Sequence, residues 1–154
     1  MIILLIVMTG IMAGVYFAFS VFVMKSFAQL PAFQAAQAMN KINDVIVNTL
    51  FLPIFFGSTL CYIGIIILQF FDWQSGHSEI MIAAAIIYII GMFLVTAFGN
   101  VPLNNRLKAS ETNDQDLTLL WPPYLYKWTR LNHLRTISCL ISLTLLSIAH
   151  LSVV

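Results

Sequence analysis

The sequence predicts an all-α integral membrane protein: an antiparallel four-helix bundle with a short interfacial helix after the first span. Three observations carry that class. Hydrophobic residues make up 60% of the chain, and the mean hydropathy is +0.94. Charged residues make up only 8%, against about 25% in an ordinary soluble domain. The apolar residues are also gathered into runs of the length a bilayer requires, about 20 helical residues each. A chain of 154 residues suits a single transmembrane domain.

The first run, Ile2 to Met24, holds no charge. No basic residue precedes it and it exceeds the apolar core of a signal peptide, about 7–15 residues, so it is expected to remain as a span. The pattern Ala36-Gln37-Ala38 resembles a cleavage site but lies well beyond the run. Within the span, Gly10-Ile11-Met12-Ala13-Gly14 is a G-x-x-x-G, expected to let helices approach closely, within one chain ahead of a dimer interface. Segment 28–44 interleaves Phe33, Ala36 and Met39 with Asn40 and Asn43 and reads as the interfacial helix. The second span covers about 45–71, with Gly57, Cys61 and Gly64 at helical spacing, and the third about 80–99, with Ala83, Ala84 and Gly91. Pro102 lacks a backbone donor and should end or kink the third helix. The fourth span covers about 133–154. Its helix should begin earlier, near Pro122 and Pro123, because proline favours a first helical turn. Cys61 and Cys139 lack metal-type or disulfide-framework spacing and read as small buried hydrophobes.

The charges orient the bundle. Lys25 and Lys41 follow the first span, while Arg106, Lys108, Lys127, Arg130 and Arg135 stand between the third and the body of the fourth. The connection at 72–79 and both termini carry no Lys or Arg. The positive-inside rule then puts the basic segments in the cytoplasm and both termini outside. A helical design excludes an outer-membrane barrel, and a bacterial inner (cytoplasmic) membrane is the expected location, with membrane lipids as surroundings and no nucleic-acid partner.

One stretch departs from the apolar habit. In Trp121-Pro-Pro-Tyr-Leu-Tyr-Lys-Trp-Thr-Arg-Leu-Asn-His-Leu-Arg135, the groups Lys127, Arg130, Asn132, His133 and Arg135 fall within nine positions. On a helix, Tyr124, Trp128, Asn132, Arg135, Cys139 and Ser142 share one face, and His133 sits about 100° round from Asn132. The third span ends in Gly99-Asn100-Val101-Pro102-Leu103-Asn104-Asn105, and topology brings this cluster to the same membrane face. A pocket there would hold Asn100, Asn104, Asn132, His133 and Arg135 beside Trp128. Asparagines also cap helix ends, and Arg and Trp anchor spans at interfaces. Polar and charged groups gathered at the edge of hydrocarbon nevertheless need partners, and they mark functional sites. No carboxylate falls within a predicted span, there is no H-E-x-x-H, C-x-x-C or Walker loop, and no metal site is expected.

At these residues the chain resembles a known family. Phe19-Ser20-Val21-Phe22-Val23-Met24, Met39-Asn40-x-Ile42-Asn43, Asn100-Val101-Pro102-Leu103-Asn104 and Trp128-x-x-x-Asn132-His133-x-Arg135 resemble, in order and spacing, the anthrone-oxygenase (DUF1772) family of small four-span membrane proteins. Thr49 stands where the family often has proline. The resemblance implies an oxidoreductase that oxidises an anthrone-like aromatic with O₂, without an organic cofactor or metal. Such chemistry needs a base, donors for a developing oxyanion and an apolar slot. The expected roles are His133 as base, Arg135 and Asn132 or Asn100 as oxyanion donors, and Trp128 and Tyr124 as walls, with Asn104 in the binding site. Imidazole suits the first role because it is mostly neutral near pH 7. Composition and spacing alone fit two other readings: a non-catalytic binder or subunit holding a lipid, a quinone or a haem, and a purely structural partner. Neither composition nor spacing assigns an oligomeric state.

Overall fold

The structure, a computed structural model, describes residues 2–110 and 113–152. Four helices are long and apolar enough to cross a membrane: α1 (Ile2–Phe27), α3 (Phe51–Phe71), α4 (His77–Ala109) and α5 (Asp114–Leu151). The short helix α2 (Ala32–Ile46) lies between the first two. Each span packs against two others, α1 and α4 both touching α3 and α5, so the chain winds up and down around one bundle. This is the architecture the sequence predicts. Side chains such as Leu4, Val7, Phe17, Ile67 and Ile137 face outward, as an apolar solvent allows.

Lipid supplies little hydrophobic drive for helix association, so polar contacts and close packing must hold the spans. One buried hydroxyl cluster reaches all four. The Tyr62 hydroxyl of α3 lies 3.0 Å from Thr9 Oγ1 of α1 and 2.8 Å from Ser142 Oγ of α5. Ser142 Oγ in turn donates to the Ala84 carbonyl of α4 at 2.7 Å. The Tyr62 ring stacks on Tyr88, whose hydroxyl meets Ser58 Oγ at 2.7 Å. Close approach is concentrated between α4 and α5: a Cβ on Gly91 would fall 1.9 Å from Ser138 Oγ. At the opposite end from the basic residues, Gly76 turns the chain at φ +84° into α4, and its N–H is capped by Glu79.

Three local expectations are corrected and a fourth is narrowed. Gly10 and Gly14 face open space, with no atom of another helix within 4 Å of a built Cβ, so the G-x-x-x-G does not pack this bundle. The second spanning helix starts at Phe51, after a turn, and not at 45. Of the two outcomes expected at Pro102, an end or a kink of α4, the structure excludes the end. The helix passes through two π segments, Ile89–Leu94 and Thr96–Asn100, and runs on to Ala109. A π turn shifts the backbone register, which accommodates a residue without a donor. Pro122 and Pro123 do not start α5 either. It starts at Asp114, capped by Asn113 Oδ1, which accepts from the N–H groups of Gln115 and Asp116. The carbonyls that the prolines leave without their usual donors belong to Thr118 and Leu119, both on an exposed surface where water can reach them.

At 38 residues α5 is about 57 Å long, and α4 at 33 residues about 50 Å. Both exceed a hydrocarbon core of about 30 Å. The surplus stands at the basic end, where α2 packs Ala35, Ala36 and Met39 against Met24, Leu107, Leu117 and Trp121. The polar site forms beneath this second apolar cluster.

Candidate functional site

The buried face of α5 carries Tyr124, Trp128, Asn132, Arg135, Cys139 and Ser142, the stripe expected from helical spacing. Arg135 is 4% exposed. Its guanidinium sits 4.3 Å from the centroid of the Tyr16 ring and 5.0 Å from that of Trp128, held between two aromatic faces. Nη2 donates to Asn132 Oδ1 at 2.7 Å and Nη1 to Thr96 Oγ1 at 3.3 Å, while Nε has no partner. No carboxylate among the described residues pairs with it. The single ion pair among the described residues is Lys108–Asp44, 2.8 Å apart at the surface. An arginine inside a span costs about 2.5–3.5 kcal/mol or more. Two desolvated cation–π contacts, about 2 kcal/mol each, offset much of that without neutralising the charge.

The amides around it have forced orientations. Asn132 turns Oδ1 to Arg135, which can only donate, and Nδ2 to the Tyr16 carbonyl at 2.8 Å, which can only accept. Nδ2 also donates to Ser20 Oγ at 2.7 Å, and Ser20 meets Thr136 at 2.9 Å. The Tyr16 carbonyl stands just before the π turn Phe19–Val23 in α1. Such turns draw carbonyls out of the α ladder and recur at functional sites. Asn104 Oδ1 accepts from the Tyr124 hydroxyl and from Trp128 Nε1, both at 2.9 Å. Since an indole N–H can only donate, Asn104 Nδ2 must face Asn43 Oδ1, at 3.1 Å. Asn43 Nδ2 is therefore left over, and it has no partner. Asn100 donates Nδ2 to the Trp128 carbonyl at 3.3 Å, leaving Oδ1 unpartnered.

Arg135, Asn43, Asn100 and Asn104 line a cavity of about 650 Å³. Phe19, Phe51, Phe55, Phe93 and Trp128 form aromatic walls, and Asp44 and Lys108 stand at its exposed rim. Three side chains in the lining keep an unsatisfied atom: two donors, Arg135 Nε and Asn43 Nδ2, and one acceptor, Asn100 Oδ1. Buried polar atoms are normally paired. Such a set can donate to a negative or polarised oxygen and accept from a hydroxyl beside apolar walls.

Of the residues singled out in the sequence, Asn100, Asn104, Trp128 and Arg135 line this cavity. Asn132 and Tyr124 are buried outside the lining, Asn132 bonded to Arg135 and Tyr124 to Asn104. His133 is on the exposed side of α5 and does not line the cavity, because one residue's rotation from Asn132 carries it off the buried face. Tyr16, Thr96, Asn43 and Asp44 belong to the site and were not assigned roles from the sequence. Thr9, Tyr16 and Ser20 fall at helical spacing within a run free of charge, which is the signal that could have found Tyr16.

The chain matches the family model described as anthrone oxygenase over residues 44–145. The match takes in Asp44, Asn100, Asn104, Trp128, Asn132 and Arg135, and leaves out α1 with its Tyr16. No curated protein and no solved structure gives a significant match.

Proposed function

Because the chain belongs to the anthrone oxygenase family of membrane proteins, we propose that it oxidises an anthrone-like polycyclic aromatic with O₂ in the cavity beside Arg135. The observation that carries this reading is a buried arginine in the lining of an aromatic-walled cavity, with no carboxylate partner among the described residues. An anthrone has a ring CH₂ whose loss of a proton gives an enolate, with negative charge on the former carbonyl oxygen. That oxygen lies against Arg135, with Asn43 Nδ2 as a second donor. A fixed cation and amide in a dry site stabilise developing charge because they need no reorganisation as it forms.

The proton leaves toward the rim, where Asp44 is the carboxylate in the cavity lining and water is at hand. The carbanion carbon then bonds O₂ and the distal oxygen takes a proton, giving a hydroperoxide. Loss of the second C–H proton with cleavage of the O–O bond releases water and leaves C=O. The net change is CH₂ + O₂ → C=O + H₂O, with O₂ as the oxidant. His133 takes no part. By the positive-inside rule, the same reading puts the basic end, and the cavity mouth, on the cytoplasmic side of a bacterial inner membrane.

Oxygen uptake by detergent-purified protein with an anthrone tests this, after subtracting the protein-free rate of spontaneous oxidation. Arg135→Gln should lower the catalysed rate by about a hundredfold or more, the usual loss for an oxyanion donor. Asp44→Asn should lower it less, because water remains as an acceptor, and His133→Ala should leave it unchanged. Uptake no faster than background for the wild type, or full activity in folded Arg135→Gln, overturns the proposal.

A further inference from the structure

A second concavity lies on the outside of the bundle, separate from the cavity at Arg135. On α5, Lys127, Arg130, Leu131 and Leu134 follow at i, i+3, i+4 and i+7; on α4, Phe98, Pro102 and Arg106 run alongside. Together they line a groove of about 810 Å³. The two helices close at its floor, where a Cβ on Gly99 would stand 2.9 Å from Leu131 Cδ1. The groove is chemically divided. Arg106, Lys127 and Arg130 mark the end toward the basic face, while Phe98, 79% exposed, and Leu134, 46% exposed, mark the end toward the middle of the spans.

The lining contains no Asp or Glu, and none of the three cations is ion-paired among the described residues. Arg130 donates from Nη1 to the Tyr126 hydroxyl at 3.0 Å and lies 5.4 Å from the centroid of that ring, which holds its guanidinium at the groove. Arg106 and Lys127 also line an adjoining hollow of about 140 Å³, so a group between them is approached from two sides.

We propose that this groove between α4 and α5 binds an anionic phospholipid, its phosphodiester between Arg106, Lys127 and Arg130 and its acyl chain along Phe98, Leu131 and Leu134. Charge complementarity decides the occupant. A free phosphate would meet the cations and leave the apolar length uncovered, whereas a zwitterionic lipid would cover the apolar length and bring a cation of its own to three others. Basic pockets between spans are the setting in which anionic headgroups are held. The site is independent of the oxidation proposed above, since none of the three cations lines the cavity at Arg135.

Native mass spectrometry of the full-length protein in detergent, with phosphatidylglycerol and phosphatidylcholine in competition, tests this. Wild type should retain phosphatidylglycerol preferentially. Arg106→Gln/Lys127→Gln/Arg130→Gln should lose that preference, with affinity falling about fivefold for each cation removed. All three side chains are exposed, so the variant should fold, and its thermal unfolding midpoint checks this. Lys25→Gln/Lys41→Gln, which removes two charges from the same end outside the groove, should keep the preference. An unchanged preference in the triple variant, or an equal loss in the double variant, overturns the site in favour of general surface attraction. Displacement of the lipid by millimolar glycerol phosphate overturns the lipid assignment in favour of a headgroup-only anion site.

Discussion

Asn104 and Trp128 show how one side chain can carry several obligations. Asn104 Oδ1 is the acceptor for both Tyr124 and Trp128, and its Nδ2 fixes Asn43. Trp128→Phe removes one of two donors to an acceptor that stays satisfied, and keeps an aromatic wall; its expected cost is about 1 kcal/mol. Asn104→Ala leaves a tyrosine hydroxyl, an indole N–H and the Asn43 carbonyl without partners at once. Each buried orphan costs about 1–3 kcal/mol, so its loss should be several times larger. Unfolding of both variants in the same detergent checks the ordering; equal losses would mean that Asn104 is not the hub. At this scale the sequence was informative where a polar group interrupts an apolar run: Asn100, Asn104, Asn132 and Arg135 all proved to be buried or half-buried around one centre. It was uninformative where a group looks ordinary in its surroundings. Tyr16 is one aromatic in an apolar span and Asp44 one charge beside it, while helical phase turns His133 outward.

Helices in this bundle are positioned by their irregularities. The π turn in α1 stands next to the carbonyl that Asn132 binds, and the second π segment of α4, Thr96–Asn100, carries both Thr96 and Asn100 into the cavity wall. An unbroken period of 3.6 residues carries no sign of such turns, and it leaves open whether Pro102 ends the helix or only kinks it. Small residues show a similar limit. Spacing marks Gly10, Gly14 and Gly91 alike as contact residues, but only the direction of each helix face decides which contact is made. A Cβ on Gly91 would fall 1.9 Å from Ser138 Oγ and 2.5 Å from Ser138 Cβ, while one on Gly14 would meet nothing within 4 Å. Gly91→Ala should therefore push α4 from α5 and cost about 1–3 kcal/mol, the range for overpacking. Adding Ser138→Ala removes the hydroxyl but not the Cβ clash, so it should restore only part of the loss. Gly14→Ala should be neutral or raise stability slightly through helix propensity. Thermal unfolding in detergent reads all three, and a Gly14→Ala as damaging as Gly91→Ala would mean that α1 packs against something through that face.

Across the whole molecule, polarity is distributed by end. All seven Lys and Arg residues, the surplus length of α4 and α5, the packed helix α2 and both concavities with charged rims share one end of the bundle. The other end has a tight turn at Gly76, the start of α1 and the last turn of α5. Length and hydropathy made the four spans legible, because a bilayer imposes both at once. The protruding end was less legible, because α5 continues through Pro122 and Pro123 on a surface where water can take the carbonyls they leave open. The same asymmetry carries a prediction of the orientation. Positive charge is retained on the cytoplasmic side during insertion, so Ser75 in the outer turn should face outward and Gln34 on the exposed side of α2 should face the cytoplasm. In intact cells a membrane-impermeant maleimide should label Ser75→Cys, and should label Gln34→Cys only after permeabilisation. Background from the native thiols is small, because Cys139 is buried and Cys61 half-buried inside the spans. The reverse pattern would invert the bundle, and with it the side from which the cavity at Arg135 exchanges protons and receives its substrate.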